Sequence, residues 1–515
     1  MHRSNKTSMK KLAVSARTAE AAINVFAKLD MMITPDKGTY PTLESEIEDN
    51  KDEMTFTDMP TRLYHMGDTG KLSMTYNKVR AYQLGFGLAY LLGEIASENA
   101  GTGKKFTFTS RKSNVDEKRP TPSFSFGMIL DEVEKERWAS GFMNSVNLSY
   151  DKSKKWVTGS MEAVSTGMVE KNACCETVTA DKAVTELTLT EYGVQGASEE
   201  ERLKNIHSVM AEESGILHKV GVTGCTADRP ANITIEPVGS SGTDCEYEII
   251  YIAEENIKVE TVVSTDDAAS ITITEAVAGT IASERLANVI SVEENSSGTY
   301  QPVTYSAVSA SDPADITITS LGGTGDAVTY RVKSKPLNGT WQTFPAADIS
   351  ETPLKVTGTY ISIGGQWNGS EMVGGYSPDC ETNSFEWSMQ RGITVNSCFG
   401  QGADVMHAGE AKEGELSHTL KFDRKLTNTM YQFWLKKVRY MGIQIRTEGR
   451  IYDSATGDRY TVILVFPKVG MKAVTKGADG NNATESIEFQ VLSHDTYGYM
   501  LAIVKTDNID QYAVM

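Results

Sequence analysis

The chain has 515 residues, a formal net charge of −18, 40% hydrophobic residues and six cysteines. That is enough apolar material for several domain cores. The absence of any C-x-x-C pair argues against a disulfide scaffold and a zinc site, and makes a reducing folding compartment the default. The acidity is uneven: residues 176–340 hold 26 acidic and 10 basic side chains, a balance of −16 that leaves −2 for the flanks, so the overall charge says nothing about partners of the flanks.

In chain order, residues 1–50 are expected to form an N-terminal arm. It starts basic and has no uninterrupted apolar run, so it reads as neither a secretion signal nor a membrane span. Periodicity predicts an amphipathic helix over Ala13 to Leu29, with Ala22, Val25, Phe26 and Leu29 on one side. It would serve as a surface helix, a mobile arm or a docking arm. In residues 51–175, Gly70 to Tyr76 alternates like a strand. Arg80 to Leu92 then carries Leu84, Leu88, Leu91 and Leu92 as a helical stripe, with Gly93 as its stop. Strands follow at Phe106 to Thr109, Ser123 to Leu130, Phe142 to Tyr150 and Trp156 to Val164.

The middle of the chain is a tandem repeat. ADRPANITIEPVGSSGTDCEYEI (Ala227 to Ile249) returns as ASDPADITITSLGGTGDAVTYRV (Ala310 to Val332), with nine identities in 23 positions at an offset of 83. ERLKNIHSV (Glu201 to Val209) returns as ERLANVISV (Glu284 to Val292) at the same offset. A fixed period marks a repeated unit. Period-two alternation in Thr, Val and Ile, punctuated by Gly and Ser, predicts two immunoglobulin-like β-sandwich modules at 176–257 and 258–340. Cys225 and Cys245 become Val308 and Val328 in the second unit, which suits buried core positions.

Residues 341–515 repeat the plan of the first flank. Gly414 to Leu420 parallels the strand at Gly70. Thr427 or Asn428 can cap a helix whose apolar stripe is Met430, Phe433, Trp434 and Val438. Strands follow at Gly442 to Ile451, Tyr460 to Phe466 and Ser486 to Leu492, and Ser384 to Met389 adds another. Two strands alternate most clearly. Ser145, Asn147 and Ser149 oppose Val146, Leu148 and Tyr150, and Ser384, Glu386 and Ser388 oppose Phe385, Trp387 and Met389, as expected of sheets solvated on one face. The fold class is therefore mainly β (α+β): two β-sandwich body domains, each with a helix, plus two inserted modules.

The segments GKLSMTYNKVRAYQLGFGLAYLLG (Gly70 to Gly93), SFSFGMILDEVEKERWASGFMNSVNLSYDKSKKWVTGSMEAVSTG (Ser123 to Gly167), SFEWSMQRGITVNSCFGQGADVMHAGEAKEGELSHTLKFD (Ser384 to Asp423) and RYTVILVFPKVG (Arg459 to Gly470) carry a resemblance. In order and phrasing of elements the flanks resemble the tail tube (major tail) proteins of long-tailed bacteriophages. The resemblance implies a tube subunit of the virion tail, assembled in the host cytoplasm. Rings would stack into a channel through which genomic DNA passes without specific binding, beside other tail proteins. It also implies external immunoglobulin-like modules, here inserted and not appended. The repetition and expected exposure of these modules suggest weak binding to host-surface glycans. Two body domains per chain imply a ring of three chains with six similar positions; one joint domain implies six chains. The N-terminal arm and the Gly-rich stretch Gly470 to Asn482 are expected to be clasps between rings or mobile loops.

Catalytic motifs are missing. The seven histidines (His2, His65, His207, His218, His407, His418 and His494) are scattered, with no H-E-x-x-H. Gly101-Thr102-Gly103-Lys104-Lys105 fails as a phosphate loop and reads as a turn, and Asp131-Glu132 reads as a solvated acidic pair. No enzyme activity, cofactor or metal site is expected. The competing readings are a surface or secreted adhesin with repeated β-sandwiches and a carbohydrate-active enzyme with accessory β-domains.

Overall fold

The two flanks are hydrogen-bonded to each other. In the computed structural model, which describes residues 11–49, 62–110, 122–335, 344–398 and 406–513 apart from 132, 191, 214–215, 229, 255–257, 275, 278, 280, 297–298, 312, 346–349, 379 and 481, the chain divides into two compact units. One holds 11–128, 137–170 and 344–513; the other holds the modules together with 129–136.

The first flank contributes β1 (Lys11–Val14), β2 (Met31–Ile33), β3 (Pro41–Asp49), β4 (Leu63–Tyr76), α1 (Ala81–Leu92), β5 (Glu94–Ala100), β6 (Gly103–Thr109), β7 (Phe124–Asp131), β8 (Glu134–Asp151) and β9 (Thr158–Ser165). The second contributes β10 (Thr359–Trp367), β11 (Thr382–Gln390), β12 (Ser417–Lys425), α2 (Met430–Lys436), β13 (Tyr440–Asp453), β14 (Asp458–Asp479), β15 (Asn482–Val491) and β16 (Leu501–Thr506). Antiparallel pairing gives one sheet in the order β3–β4–β9–β8–β11–β12–β15–β14. A second runs β10–β13–β14–β16–β6–β5. The 22-residue β14 serves both: Thr461 to Val465 pair with β16, and Val469 to Asp479 pair with β15.

The flanks thus fold together as one body, because β8 bonds to β11 and β6 to β16 across the inserted modules. The duplication survives at a finer level. The order β3–β4–β9–β8 of one half recurs as β11–β12–β15–β14 in the other. In each half a helix follows the second strand of that order, and a hairpin joins the last two.

Helix α1 is buried on every side, from Ala81 to Leu92, as expected of a helix that is apolar all round. Its ring contacts run from Phe86 and Tyr90 to Phe124. Gly85 is required by packing: a Cβ there would lie 2.2 Å from the Tyr512 hydroxyl. Gly93 closes the helix at φ 84°, donating its N–H to Ala89. The helix start has no local cap. The carboxylate of Glu351 supplies it instead, accepting from the Ala81 N–H and, through its other oxygen, from the Thr506 hydroxyl at 2.8 Å.

Three expectations need correction. Ala13 to Leu29 is not helical: β1 is a buried strand paired with β2, and the chain then runs through bends and turns to Leu29. Tertiary burial of Leu12, Ala13 and Val14 outweighs the helical spacing of the later residues. Gly470 to Asp479 is not a loop but the end of β14; its glycines sit in a two-stranded extension with β15. The α2 stripe is not buried either. Phe433 is 60% exposed and Val438 67% exposed, and the helix buries Tyr431 instead. The capping reading was closer, since Asn428 Oδ1 accepts the Met430 N–H at 3.1 Å. The turn at Gly101 lies between β5 and β6 as expected, whereas Glu132 of the acidic pair lies outside the described residues.

Each module is a two-sheet sandwich of four and three strands around its own core. Val209, Ile233, Tyr247 and Ile249 in the first correspond to Val292, Ile316, Tyr330 and Val332 in the second. The repeat extends to polar detail. Glu176 accepts from the Thr190 N–H and hydroxyl at 2.7 and 2.9 Å, and Glu260 does the same for Thr274. Arg202 reaches the carbonyls of Cys225 and Gly196, and Arg285 those of Val308 and Gly279. The sequence pattern missed the single-turn helices at Glu199–Lys204 and Ala282–Ala287. The first has a Ser198/Glu201 capping box, whereas Ile281 stands at the equivalent cap of the second. Cys225 and Cys245 are free, buried thiols, as their exchange for valine implied.

Candidate functional site: a polar sheet face with two open edges

The long sheet of the body separates its side chains cleanly. One face is the core: Val146, Leu148, Phe385, Trp387, Leu420 and Phe489 are each at most 3% exposed. Alternation then forces the neighbouring residues onto the opposite face. The two strands whose alternation stood out in the sequence prove to be adjacent, with Ser388 opposite Asn147 and Glu386 opposite Ser149. Register extends this into rows across the sheet. One row runs Thr75, Ser160, Asn147, Ser388, Thr419, Gln490. The next runs Thr158, Ser149, Glu386, Lys421, Glu488. These rows line an open trough of about 600 Å³.

Charge on this face is mostly paired. Lys421 lies between Glu386 and Glu488 in register. Lys71 Nζ bonds Glu162 at 3.0 Å and Lys472 bonds Glu488 at 3.0 Å. The bond to Glu162 holds the Lys71 ammonium above the usual lysine range. The face therefore offers hydroxyls, amides and mostly paired charges, with the exposed Lys154 at its rim. It has no concentration of free positive charge to hold a polyanion, because net affinity for phosphates grows with each unpaired cation brought to them.

Beneath the face, two polar clusters fix the strands. Trp387 Nε1 donates to His418 Nε2 at 2.6 Å, and burial pushes the His418 imidazole down to about 3, so it is neutral. Arg424 is 2% exposed. It bonds Glu485 at 3.0 and 3.1 Å and Glu381 at 2.8 Å, and stacks over the Tyr431 ring at 4.3 Å. It thereby ties β12 to β15 and to the start of α2. Sequence reasoning missed this arginine. A charged residue in an otherwise apolar-alternating position was the available signal.

The sheet has two outer edges. Among the described residues β3 pairs with β4 alone, and Met471 to Asp479 pair with β15 alone. Strand β3 is exposed over nearly its whole length and presents Leu43 and Ile47 to solvent, 42% and 59% exposed.

The remaining histidines do not converge. His65 bonds Asp68, and His407 bonds Asn24. His207 and His218 belong to the first module, His494 closes a small bridge with Gly498, and His2 lies outside the described residues. Among the described residues no group of three His, Cys, Asp or Glu is placed to hold a metal ion. No helix among them is long and apolar enough to cross a membrane. The chain matches no protein-family model and none of the curated protein sequences compared with it.

Proposed function

We propose that this chain is a structural subunit of a bacteriophage tail tube. It assembles with copies of itself into rings that stack around a channel for DNA, and the two immunoglobulin-like modules decorate the outside. The observation that carries this reading is the long sheet of the body, polar and largely charge-balanced on one face, apolar on the other and, among the described residues, open at both edges. Such a sheet is incomplete alone, and a ring of copies removes its edges. A lumen lined by hydroxyls and paired charges lets a polyanion slide, since few unpaired cations are available to its phosphates. The duplicated strand order gives each chain two similar positions, which favours three chains per ring. The modules would meet host-surface glycans, and other tail proteins would meet the ends of the tube.

Electron microscopy of the purified full-length chain tests this. Stacked rings or tubes with a central channel are expected. Dispersed monomers with glycan affinity would reject the proposal and favour an adhesin. Replacing residues 176–335 by a short linker is expected to leave ring formation intact, and its loss would contradict the assignment of assembly to the body.

A further inference from the structure

The chain contains a worked example of how its own halves join. The last strand of the first half, β8, pairs antiparallel with the first strand of the second half, β11, over seven residue pairs from Ser145–Gln390 to Asp151–Ser384. Because the strand order repeats, the unpaired strands at the two ends are the counterparts of these two. The outer strand β3 corresponds to β11, and the 471–479 end of β14 corresponds to β8. The two edges are matched in length, nine residues each. They are also opposite in charge. Strand β3 carries Glu44, Glu46, Glu48 and Asp49 and no basic residue, whereas the other edge carries Lys476 and Lys472, the latter also bonded to Glu488 of β15, against Asp479. Both edges present apolar groups beside these charges: Leu43 and Ile47 on one, and the half-buried Val474 on the other. An exposed acidic strand repels its own kind, so two β3 edges resist pairing with each other, while β3 against 471–479 is attractive.

We infer that β3 of one copy adds to the Met471–Asp479 edge of the next, antiparallel, and repeats between chains the β8–β11 junction found within one. The partner is a second copy of this chain, joined head to tail. Each chain offers one acidic and one basic edge, so the contact is heterologous and closes by rotation into a ring. This inference rests on the ring-forming reading above and adds to it which strands meet.

Charge reversal tests it on the full-length chain, with assembly read by native mass spectrometry at low salt. Lys472→Glu with Lys476→Glu, and separately Glu44→Lys with Glu46→Lys, are each expected to abolish the ring species. The chain carrying all four substitutions is expected to restore it. All four side chains are on exposed strand ends or at most lightly covered, and circular dichroism confirms folding of each variant. A second arm leaves the charges untouched. Leu43→Cys is combined in turn with Lys472→Cys, Val474→Cys and Lys476→Cys, in a background where the exposed Cys175, Cys380 and Cys398 are serine. Oxidation is expected to link neighbouring chains for at least one of these pairs, and to produce a closed covalent ring. Rings that persist with both lysines reversed, or that never cross-link at any of the three positions, would overturn the strand pairing and leave the ring reading standing. A wild-type chain that is monomeric under the same conditions would overturn the ring reading itself.

Discussion

Replacing Arg424 by methionine removes a guanidinium that is 2% exposed and leaves Glu485, whose side chain is fully buried, without its cation. Methionine roughly matches the aliphatic volume, so the loss is electrostatic and not a cavity. Breaking a buried pair by removing one partner costs about 3–5 kcal/mol, because the remaining charge is desolvated and unmatched. At a urea slope of about 3 kcal/mol/M, that moves the unfolding midpoint down by roughly 1–1.7 M. The assay is urea unfolding followed by tryptophan fluorescence. Trp138, Trp156, Trp367, Trp387 and Trp434 belong to the body, so the signal reports chiefly on it. Glu485→Gln in the Arg424→Met background removes the stranded charge. The double variant is therefore expected to recover at least about 1 kcal/mol relative to Arg424→Met, a coupling that only contacting residues show. If Arg424→Met unfolds within about 0.5 kcal/mol of the wild type, or if the two substitutions add without coupling, the arginine does not hold β12, β15 and the α2 entry together as argued.

His418 gives a pH signature. Its folded pKa is depressed to about 3 by burial, against about 6.5 when unfolded. Below pH 6.5 the unfolded chain binds the extra proton, so stability falls by roughly 1.4 kcal/mol per pH unit towards pH 3. His418→Gln keeps an acceptor for Trp387 and is expected to flatten that acid limb by one proton, measured as urea midpoints at pH 7 and pH 4. An unchanged limb would place the acid sensitivity elsewhere. Glu351 acts in the opposite sense: burial raises its carboxyl to about 8. Its contribution is complete below the unfolded carboxylate range and is lost as pH rises towards 8. Glu351→Gln is expected to remove that decline between the unfolded carboxylate range and about pH 8, on the order of 1 kcal/mol per pH unit. Glu351→Ala is expected to cost about 1–2 kcal/mol at low pH through loss of the α1 cap, and less as pH rises. Parallel pH profiles for wild type and Glu351→Gln would show the carboxyl to be ionised throughout.

Local pattern carried much of this fold. The modules, α1 with its Gly93 stop, and most strands of the body follow from period, turn residues and caps, because those signals act within a few residues. What the sequence did not show is long-range. Glu351 caps a helix 270 residues earlier in the chain, and nothing near Ala81 announces it. The β8–β11 pairing bridges the inserted modules, and nothing in either strand names its partner. The α2 stripe failed for a related reason. Met430, Phe433, Trp434 and Val438 have helical spacing, but the buried Arg424 stacks over the Tyr431 ring, which turns Phe433 outward, and Val438 falls past the helix end at φ 48°. Local hydrophobic spacing records which residues share a face; a buried ion decides which face is turned in.

The same distinction bears on the polar sheet face. Alternation at Ser145 to Tyr150 and at Ser384 to Met389 revealed two half-solvated strands, and any antiparallel sheet could contain them. Their adjacency is the informative fact, since it sets hydroxyl against amide and Glu386 beside Lys421 over six strands in register. A lone domain of this kind would cap its sheet with a short, bulged or covered strand. This one instead ends in a nine-residue acidic strand and a lysine-bearing strand of equal length, after joining its own halves through the equivalent pair. The head-to-tail addition proposed above would use both edges, the acidic strand and the lysine-bearing one.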